Sequence, residues 1–347
     1  MSIFTQTNGN YSKIYAKSEV PARFASKFPI SYNTAMDKSE AFREALFELF
    51  GDAFSVNAPL SAMSSFEIGG PADFFYEARR LEDLRAAVAL AVRERAPYRV
   101  IGGGSNILFA DEGFRGLIIR NRTEGTAYGE GRLTALSGTS LSALLRAALK
   151  MDLSGLEFLV GIPGTVGGAV TGNAGAFGRS VADVLESAVI LEPGGAEMTI
   201  PGAELGFGYR NSSLRKSGRI VLEAVLMSSP GDRKASEALM RDHLEMRRTK
   251  HPPWGTPCAG SYFKNPCSTD GCKVAAGRLL DEAGARGLSV GGAAVYEKHC
   301  NFIVNTGNAT CRDVLLLAQK LKDSVQAKFG IRLEEEVIHL PADASSV

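Results

Sequence analysis

Two glycine-rich stretches constrain this chain more than anything else in it. One is Gly102-Gly103-Gly104-Ser105-Asn106; the other holds Gly161, Pro163, Gly164, Gly167, Gly168, Gly172, Asn173, Gly175 and Gly178. Each follows an apolar segment, residues 98–101 and 156–160, and each contains few bulky side chains. Backbone without Cβ atoms can turn its N–H groups inward and let a ligand come close, and such concave loops suit phosphate oxygens. Turns alone need one or two glycines, whereas these segments concentrate many of them beside Asn106 and Asn173. Two such loops in one fold predict a large, doubly anchored, phosphate-bearing ligand, a cofactor first of all. Neither loop opens a helix with GxGxxG or GxxxxGK[ST] spacing, which argues against Rossmann and P-loop folds.

The 347 residues leave room for two or three domains. A 45% hydrophobic and 22% charged composition is ordinary for a soluble globular protein, and the net charge of +1 gives no electrostatic case for nucleic acid or an anionic membrane. Residues 1–30 hold no long apolar run, so neither a signal peptide nor a membrane span is expected. The cysteines are Cys258, Cys267, Cys272, Cys300 and Cys311, an odd number without a secretory leader, which predicts reduced thiols in the cytoplasm. Cys267, Cys272 and the His299-Cys300 pair raise the question of zinc. With no CxxC pair, scattered thiols and no metal are the expectation.

Periodicity divides the chain. Residues 1–50 read as an extension, polar at first and then an amphipathic helix over 40–50. Residues 51–229 read as one domain of two lobes, about 51–121 and 122–229. The first lobe has strands at 74–76, 98–101 and 116–120 and a helix over 81–95 with Leu84, Val88 and Val92 inward. The second has a strand at 132–137, a helix at 141–150, a hairpin around Pro193-Gly194-Gly195 and a strand at 219–227. Ser229-Pro230-Gly231-Asp232 breaks the pattern and supplies an acidic N-cap, so residues 230–347 form a second domain. It reads as a helix at 232–248, a loop at 251–260, a helix at 272–283, and strands near Ala293 and Phe302. A helix at 311–329 and a strand at 333–340 complete it.

Six segments in register carry a resemblance. They are Phe66-Glu67-Ile68-Gly69-Gly70-Pro71-Ala72-Asp73, the loop from Gly102 to Asn106, and Gly161-Ile162-Pro163-Gly164-Thr165-Val166-Gly167-Gly168-Ala169. Gly208-Tyr209-Arg210-Asn211-Ser212, Ala259-Gly260-Ser261-Tyr262-Phe263-Lys264-Asn265-Pro266 and Phe329-Gly330-Ile331-Arg332-Leu333-Glu334-Glu335-Glu336-Val337 follow. Together they resemble the UDP-N-acetylenolpyruvoylglucosamine reductase family from about residue 55 to residue 340. The resemblance implies an α+β fold: a two-lobed vanillyl-alcohol-oxidase-type FAD-binding domain, then a smaller α/β substrate-binding domain, with the strand at 332–340 returning to the site. FAD is implied on Gly102, Gly103, Gly104, Ser105, Asn106, Gly161, Ile162, Pro163, Gly164, Thr165, Gly167, Gly168, Asn173 and Gly175. Every histidine (His243, His251, His299, His339) and every cysteine lies after residue 240, so the flavin is expected to be non-covalent.

The reaction implied is NADPH-dependent reduction of the enolpyruvyl ether of UDP-N-acetylglucosamine to UDP-N-acetylmuramate, for peptidoglycan, by a cytoplasmic monomer. Another flavin oxidase or dehydrogenase, or a flavin-binding protein without catalysis, are the alternatives. By resemblance Ser261 is the proton donor, Arg210 and Glu336 flank the substrate, and Tyr209, Lys250 and Asn265 bind the UDP-sugar. The chemistry is coherent, because charge developing beside the substrate carboxylate needs fixed donors and a guanidinium supplies a planar, permanent one. A carboxyl in such a site donates a hydrogen bond only with a raised pKa. Taken singly, Arg210 reads as a turn arginine, Ser261 as a turn serine and Glu336 as one of a solvated charge run. Strand alternation would put Glu334 and Glu336 on one face. The short spacing from Arg210 to Ser261 resembles the shorter subclass, which lacks a tyrosine-bearing loop, and His299 stands where the longer subclass has glutamine.

Overall fold

The computed structural model describes residues 38–267 and 273–343. Of the described residues, those from 42 onward make one compact unit, and 38–41 stand in the first turn of helix α1 (Lys38–Phe50).

The apolar runs Phe74-Phe75-Tyr76 and Leu117-Ile118-Ile119 are too continuous for a half-solvated strand, and they lie side by side in a sheet covered on both faces. Its order is Phe54–Pro59, Pro71–Ala78, Phe114–Asn121, Tyr98–Ile101; the first pair is antiparallel and the others parallel. Helix α2 (Leu81–Arg93) makes the crossover. Phe74, Tyr76, Leu117 and Ile119 face α1 and α2, while Phe75 and Ile118 face Phe109 and Phe114 on the other side. Phe50 stacks on Tyr76 with ring centroids 3.9 Å apart. The inward stripe of α2 is Leu84, Ala87, Val88 and Ala91, so Val92, expected inside, is exposed. The small alanines at i+3 and i+7 let the helix lie close to the sheet.

The second sheet is antiparallel, ordered Glu197–Pro201, Leu185–Leu191, Ile220–Met227, Arg132–Leu136, Thr126–Gly129, with the predicted hairpin at one edge. Helix α3 (Leu141–Lys150) buries Leu141, Leu144, Leu145 and Ala148 in its core. The second glycine run is not a single loop. Residues Val166–Thr171 form a short helix, α4, whose N-cap Thr165 accepts from the Gly168 N–H at 3.4 Å. Glycine is required there by packing, since a Cβ on Gly167 would stand 2.9 Å from that of Ser137.

After Asp232, which caps helix α5 (Arg233–Lys250), comes a third sheet, ordered Cys258–Ser261, Phe302–Asn305, Ala293–Val295, Ser289–Val290. Helices α6 (Ala276–Glu282) and α7 (Cys311–Phe329) share its core. Part of the loop expected at 251–260 is thus a strand. The helix expected from 272 starts at Ala276, where Asn265 Oδ1 accepts the Ala276 N–H at 2.9 Å; Cys272 lies outside the described residues. The strand expected from 333 is confined to Ile338–Leu340, parallel to Ile107–Phe109. Before it, residues 334–336 meet the 262–264 segment through an isolated antiparallel bridge of Glu335 with Phe263, and the glutamates pair with Lys264 (Glu334, 2.5 Å), Lys322 (Glu335, 2.6 Å) and Arg210 (Glu336, 2.7 Å). Lys264 acts on both Glu334 and Glu336, the two expected on one face.

Among the described residues Cys258, Cys267, Cys300 and Cys311 are free thiols, no group of histidine, cysteine and acidic residues is arranged to hold a metal, and no helix is long and apolar enough to cross a membrane.

Candidate active site

The parallel strand Tyr98–Ile101 delivers Gly102, and from there the two glycine segments clasp each other. A Cβ on Gly102 would lie 2.4 Å from Thr165 Oγ1, one on Gly103 would lie 3.4 Å from the Gly164 Cα, and one on Gly164 would lie 3.1 Å from Ser105 Oγ. Ser105 Oγ locks the contact by donating to the Pro163 carbonyl at 3.0 Å. Gly104, at φ +66°, turns so closely over residue 63 that a Cβ would stand 1.9 Å from the Met63 carbonyl oxygen. Beside this cradle, at the carboxyl end of the parallel strands, Arg120 pairs with Ile101, and both Arg120 Nε and Arg122 Nε are buried without an acceptor. Backbone stripped of side chains next to unpaired guanidinium nitrogens fits a pyrophosphate-bearing cofactor at the usual ligand position of such sheets.

The other glycine-run residues divide. Gly161 (φ +71°) faces Arg247, whose Cδ would be 3.0 Å from a Cβ there, and Ile162 packs on the second-lobe core. Gly167 and Gly168 belong to α4. Asn173 is spent on the protein: its Nδ2 donates to the Gly208 carbonyl at 2.9 Å and its Oδ1 accepts from the Ala182 N–H at 3.0 Å. A Cβ on Gly175 would strike the Arg179 carbonyl oxygen at 2.4 Å, so that glycine serves its hairpin. What Asn173 does is tie the glycine run to Gly208, directly before Tyr209 and Arg210.

Those residues converge on Glu336. Arg210 adopts φ +54°, and its Nε lies 2.7 Å from Glu336 Oε1 with both side chains largely buried. At that distance Arg210 acts on the Glu336 carboxyl directly, through its charge and through a hydrogen bond. The Glu336 N–H donates to the Tyr262 carbonyl at 2.8 Å, and its own carbonyl accepts from Asn106 Nδ2 (3.1 Å) and Arg215 Nη2 (3.0 Å). Arg215 Nη1 also holds the Arg210 carbonyl at 2.8 Å. Arg215 escaped the sequence reading, because nothing in a sequence marks an arginine whose partners are backbone carbonyls, one of them 121 positions away. Ser261 ends the strand paired with Phe302, directly before Tyr262, and Gly260 at φ +76° turns the chain into it. The first glycine loop, Arg210, Glu336 and the Ser261 strand thus share one hydrogen-bond network. Burial pushes the Glu336 carboxyl upward, and Arg210 first, then Arg215 and Lys264, oppose it.

Tyr209 and Asn265 also meet: the Asn265 N–H reaches the tyrosine hydroxyl at 3.4 Å, and Lys273 Nζ stands 4.0 Å from the Tyr209 ring centroid. Lys250 ends α5, exposed and without an ion pair among the described residues. One turn earlier stands Arg247, also missed in the sequence. Its Nε is buried without an acceptor, and burial and the neighbouring Arg210 both press its pKa downward.

Residues 72–200 match the FAD binding domain family, so the chain is a flavoprotein of that class. Residues 252–340 match the UDP-N-acetylenolpyruvoylglucosamine reductase C-terminal domain. The reductase of that name from Clostridioides difficile is 40% identical over 310 residues, which is 89% of this chain and 100% of the relative. That from Geotalea uraniireducens is 44% identical over 283 residues, 81% of this chain and 92% of its own. The crystal structure of the Thermus caldophilus reductase superposes with a TM-score of 0.69 at 37% identity, covering 83% of this chain and 98% of that one. The chain belongs to the UDP-N-acetylenolpyruvoylglucosamine reductase family.

Proposed function

We infer that this protein reduces the enolpyruvyl ether of UDP-N-acetylglucosamine to UDP-N-acetylmuramate, taking electrons from NADPH, in the supply of peptidoglycan precursors. The observation that carries the reading is the network joining the first glycine loop, Arg210, Glu336 and the Ser261 strand. FAD, when bound in the glycine cradle, supplies the hydride relay between NADPH and the substrate's vinyl carbon. Gly102 to Asn106 and Gly161 to Thr165 would hold its pyrophosphate, and Arg120 and Arg122 would add positive charge. The flavin would be held there non-covalently.

The chain's own residues then perform three tasks. Arg210 brings its permanent charge and planar guanidinium to the carboxylate and enolate oxygens of the substrate, where negative charge grows. Glu336, pushed toward its protonated form by burial, donates a hydrogen bond to the same oxygens. Ser261 delivers the proton to the carbon next to the one that received hydride, a task open to so weak an acid only against a strongly basic enolate. Tyr209, Asn265 and Lys250 would bind the UDP-sugar.

We further propose that residues 51–229 form the FAD-binding domain and 230–347 the substrate domain. The protein would work as a cytoplasmic monomer without nucleic-acid or membrane partners, bearing on cell shape and division through peptidoglycan. Replacement of Ser261 tests the chemistry. In Ser261→Ala the bound flavin should still be bleached by NADPH at a near-normal rate, while turnover of the enolpyruvyl substrate falls about 10²–10⁴-fold. Turnover close to that of the unaltered protein would remove Ser261 as proton donor.

A further inference from the structure

Arg210 and Glu336 must act together, yet neither lies in a helix or a strand and they come from opposite ends of the network. Arg210 sits at the tip of a tight turn with φ +54°. That region costs free energy for any residue with a side chain, and it persists only where the surroundings over-determine it. Here they do. Gly208 and Asn211 exchange backbone hydrogen bonds of 3.0 and 3.2 Å across Tyr209 and Arg210. Asn173 Nδ2 fixes the Gly208 carbonyl at 2.9 Å, and the buried Ser212 hydroxyl donates to the carbonyl of Thr171, the last residue of α4, at 2.7 Å. Both ends of the turn are thus fastened to the second glycine run.

The same Ser212 hydroxyl accepts the Leu214 N–H at 3.3 Å and opens the single helical turn Ser213–Lys216, which carries Arg215. From there the Arg215 side chain folds back. Its Nη1 donates to the Arg210 carbonyl at 2.8 Å and its Nη2 to the Glu336 carbonyl at 3.0 Å. One planar group therefore spans the two peptide units from which the active pair projects. The Glu336 carbonyl also accepts from Asn106 Nδ2 at 3.1 Å, and the Glu336 N–H donates to the Tyr262 carbonyl at 2.8 Å, so this backbone cannot turn without losing a hydrogen bond. A guanidinium fixes the direction and separation of two acceptors at once. A lysine ammonium, a point donor on a flexible stem, does not.

We propose that Arg215 is a positioning residue for the reaction: by bridging the carbonyls of residues 210 and 336 it sets how the Arg210 guanidinium and the Glu336 carboxyl stand to each other, and so the geometry in which both meet the substrate. The proposal rests on the reduction inferred above and gives its active pair a support that acts through backbone. Arg215 works through those two residues, so its loss should be felt where they act, at the enolpyruvyl group, and not where NADPH reduces the flavin.

The test separates the two halves of turnover in the holoenzyme by rapid mixing. In Arg215→Lys, NADPH should bleach the flavin at a rate within about twofold of the parent's. Return of colour on adding the enolpyruvyl substrate should slow at least about tenfold, since a displacement of roughly 1 Å can cost about 10²-fold. In steady state kcat should fall while KM stays within about threefold, as for an interaction made in the transition state. Arg215→Gln, with a shorter side chain and one amide donor, should show the same split and guards against a disturbance particular to lysine. Both half-reactions slowed alike, a raised KM with kcat unchanged, or rates like the parent's in both variants overturn the proposal. Variants that shed flavin or melt well below the parent would make Arg215 a tie that only holds the fold together, and overturn it too. A parent whose reduced flavin is not reoxidised by the substrate would instead retract the function, and the role of Arg215 with it.

Discussion

Glu336 shows how one side chain can be placed against its own preference. It is buried enough for its carboxyl to be pushed up, yet it touches Arg210, which favours the charged form. Desolvation is the larger influence, so the folded protein holds this proton more tightly than the unfolded chain does. The stability this gives is complete below the unfolded pKa and is lost as pH rises through the folded one. Glu336→Gln, which keeps the shape and loses the titration, should therefore match the parent in acid and be the more stable of the two at pH 8, as measured by thermal melts across pH. Turnover should fall at least tenfold, since the amide cannot supply the acid's hydrogen bond with the same strength. A variant that melts earlier than the parent at pH 8 would mean the ion pair, not burial, governs this site. The three proposed catalytic residues were legible only as a set, each being commonplace alone. Arg215 and Arg247 were not legible at all: one grips two backbone carbonyls, and the other lies over the Phe177 ring with its Nε buried without an acceptor.

Helix α7 was read from sequence with its observed limits, and its ends explain why. Thr310 and Asp313 form a capping box, with Asp313 N–H on Thr310 Oγ1 and Thr310 N–H on Asp313 Oδ2, both at 3.0 Å, and Gly330 closes the helix at φ +70°. Local chemistry of this kind is visible in sequence. The strand at 333–340 was over-read because its pairing partners lie far off in the chain: Glu335 has an isolated bridge with Phe263, and the ladder with Ile107–Phe109 begins at Ile338. The same holds for a second cap on α7. Asp111, about two hundred positions earlier, accepts the Cys311 N–H at 2.7 Å and the Arg312 N–H at 3.0 Å. Asp111→Ala should cost about 1 kcal/mol in chemical denaturation, as an ordinary N-cap does. An unchanged midpoint would show that the capping box suffices alone.

The domain reading placed a boundary near residue 230, and on backbone pattern alone that is reasonable. The cores cross it. The cluster built from Ala259, Tyr262, Phe263, Leu279, Leu321 and Val337 also contains Phe66, Ile68 and Leu108, and Met240 of α5 belongs to the core of the second lobe. Residues sharing a core lose it together, so heating the holoenzyme should give one transition in which loss of helical signal and release of fluorescent flavin coincide. Two separated transitions would mean that the halves fold independently. Periodicity shows which residues are inward, but not which element each one faces, so the shared core was the part the sequence withheld.

The segment 336–340 has a consequence in time. Asn106, inside the first glycine loop, is held by the carbonyl of a residue 230 positions later, and Ile107–Phe109 gains its strand partner only from Ile338–Leu340. On the ribosome the loop emerges long before the residues that hold it. Ser105 meets Pro163 much earlier, but Asn106 and the strand after it must wait for their partners until residues 336–340 have been made. Flavin capture is then expected only after residues 336–340 have emerged, and a nascent polypeptide stalled before residue 336 should remain colourless.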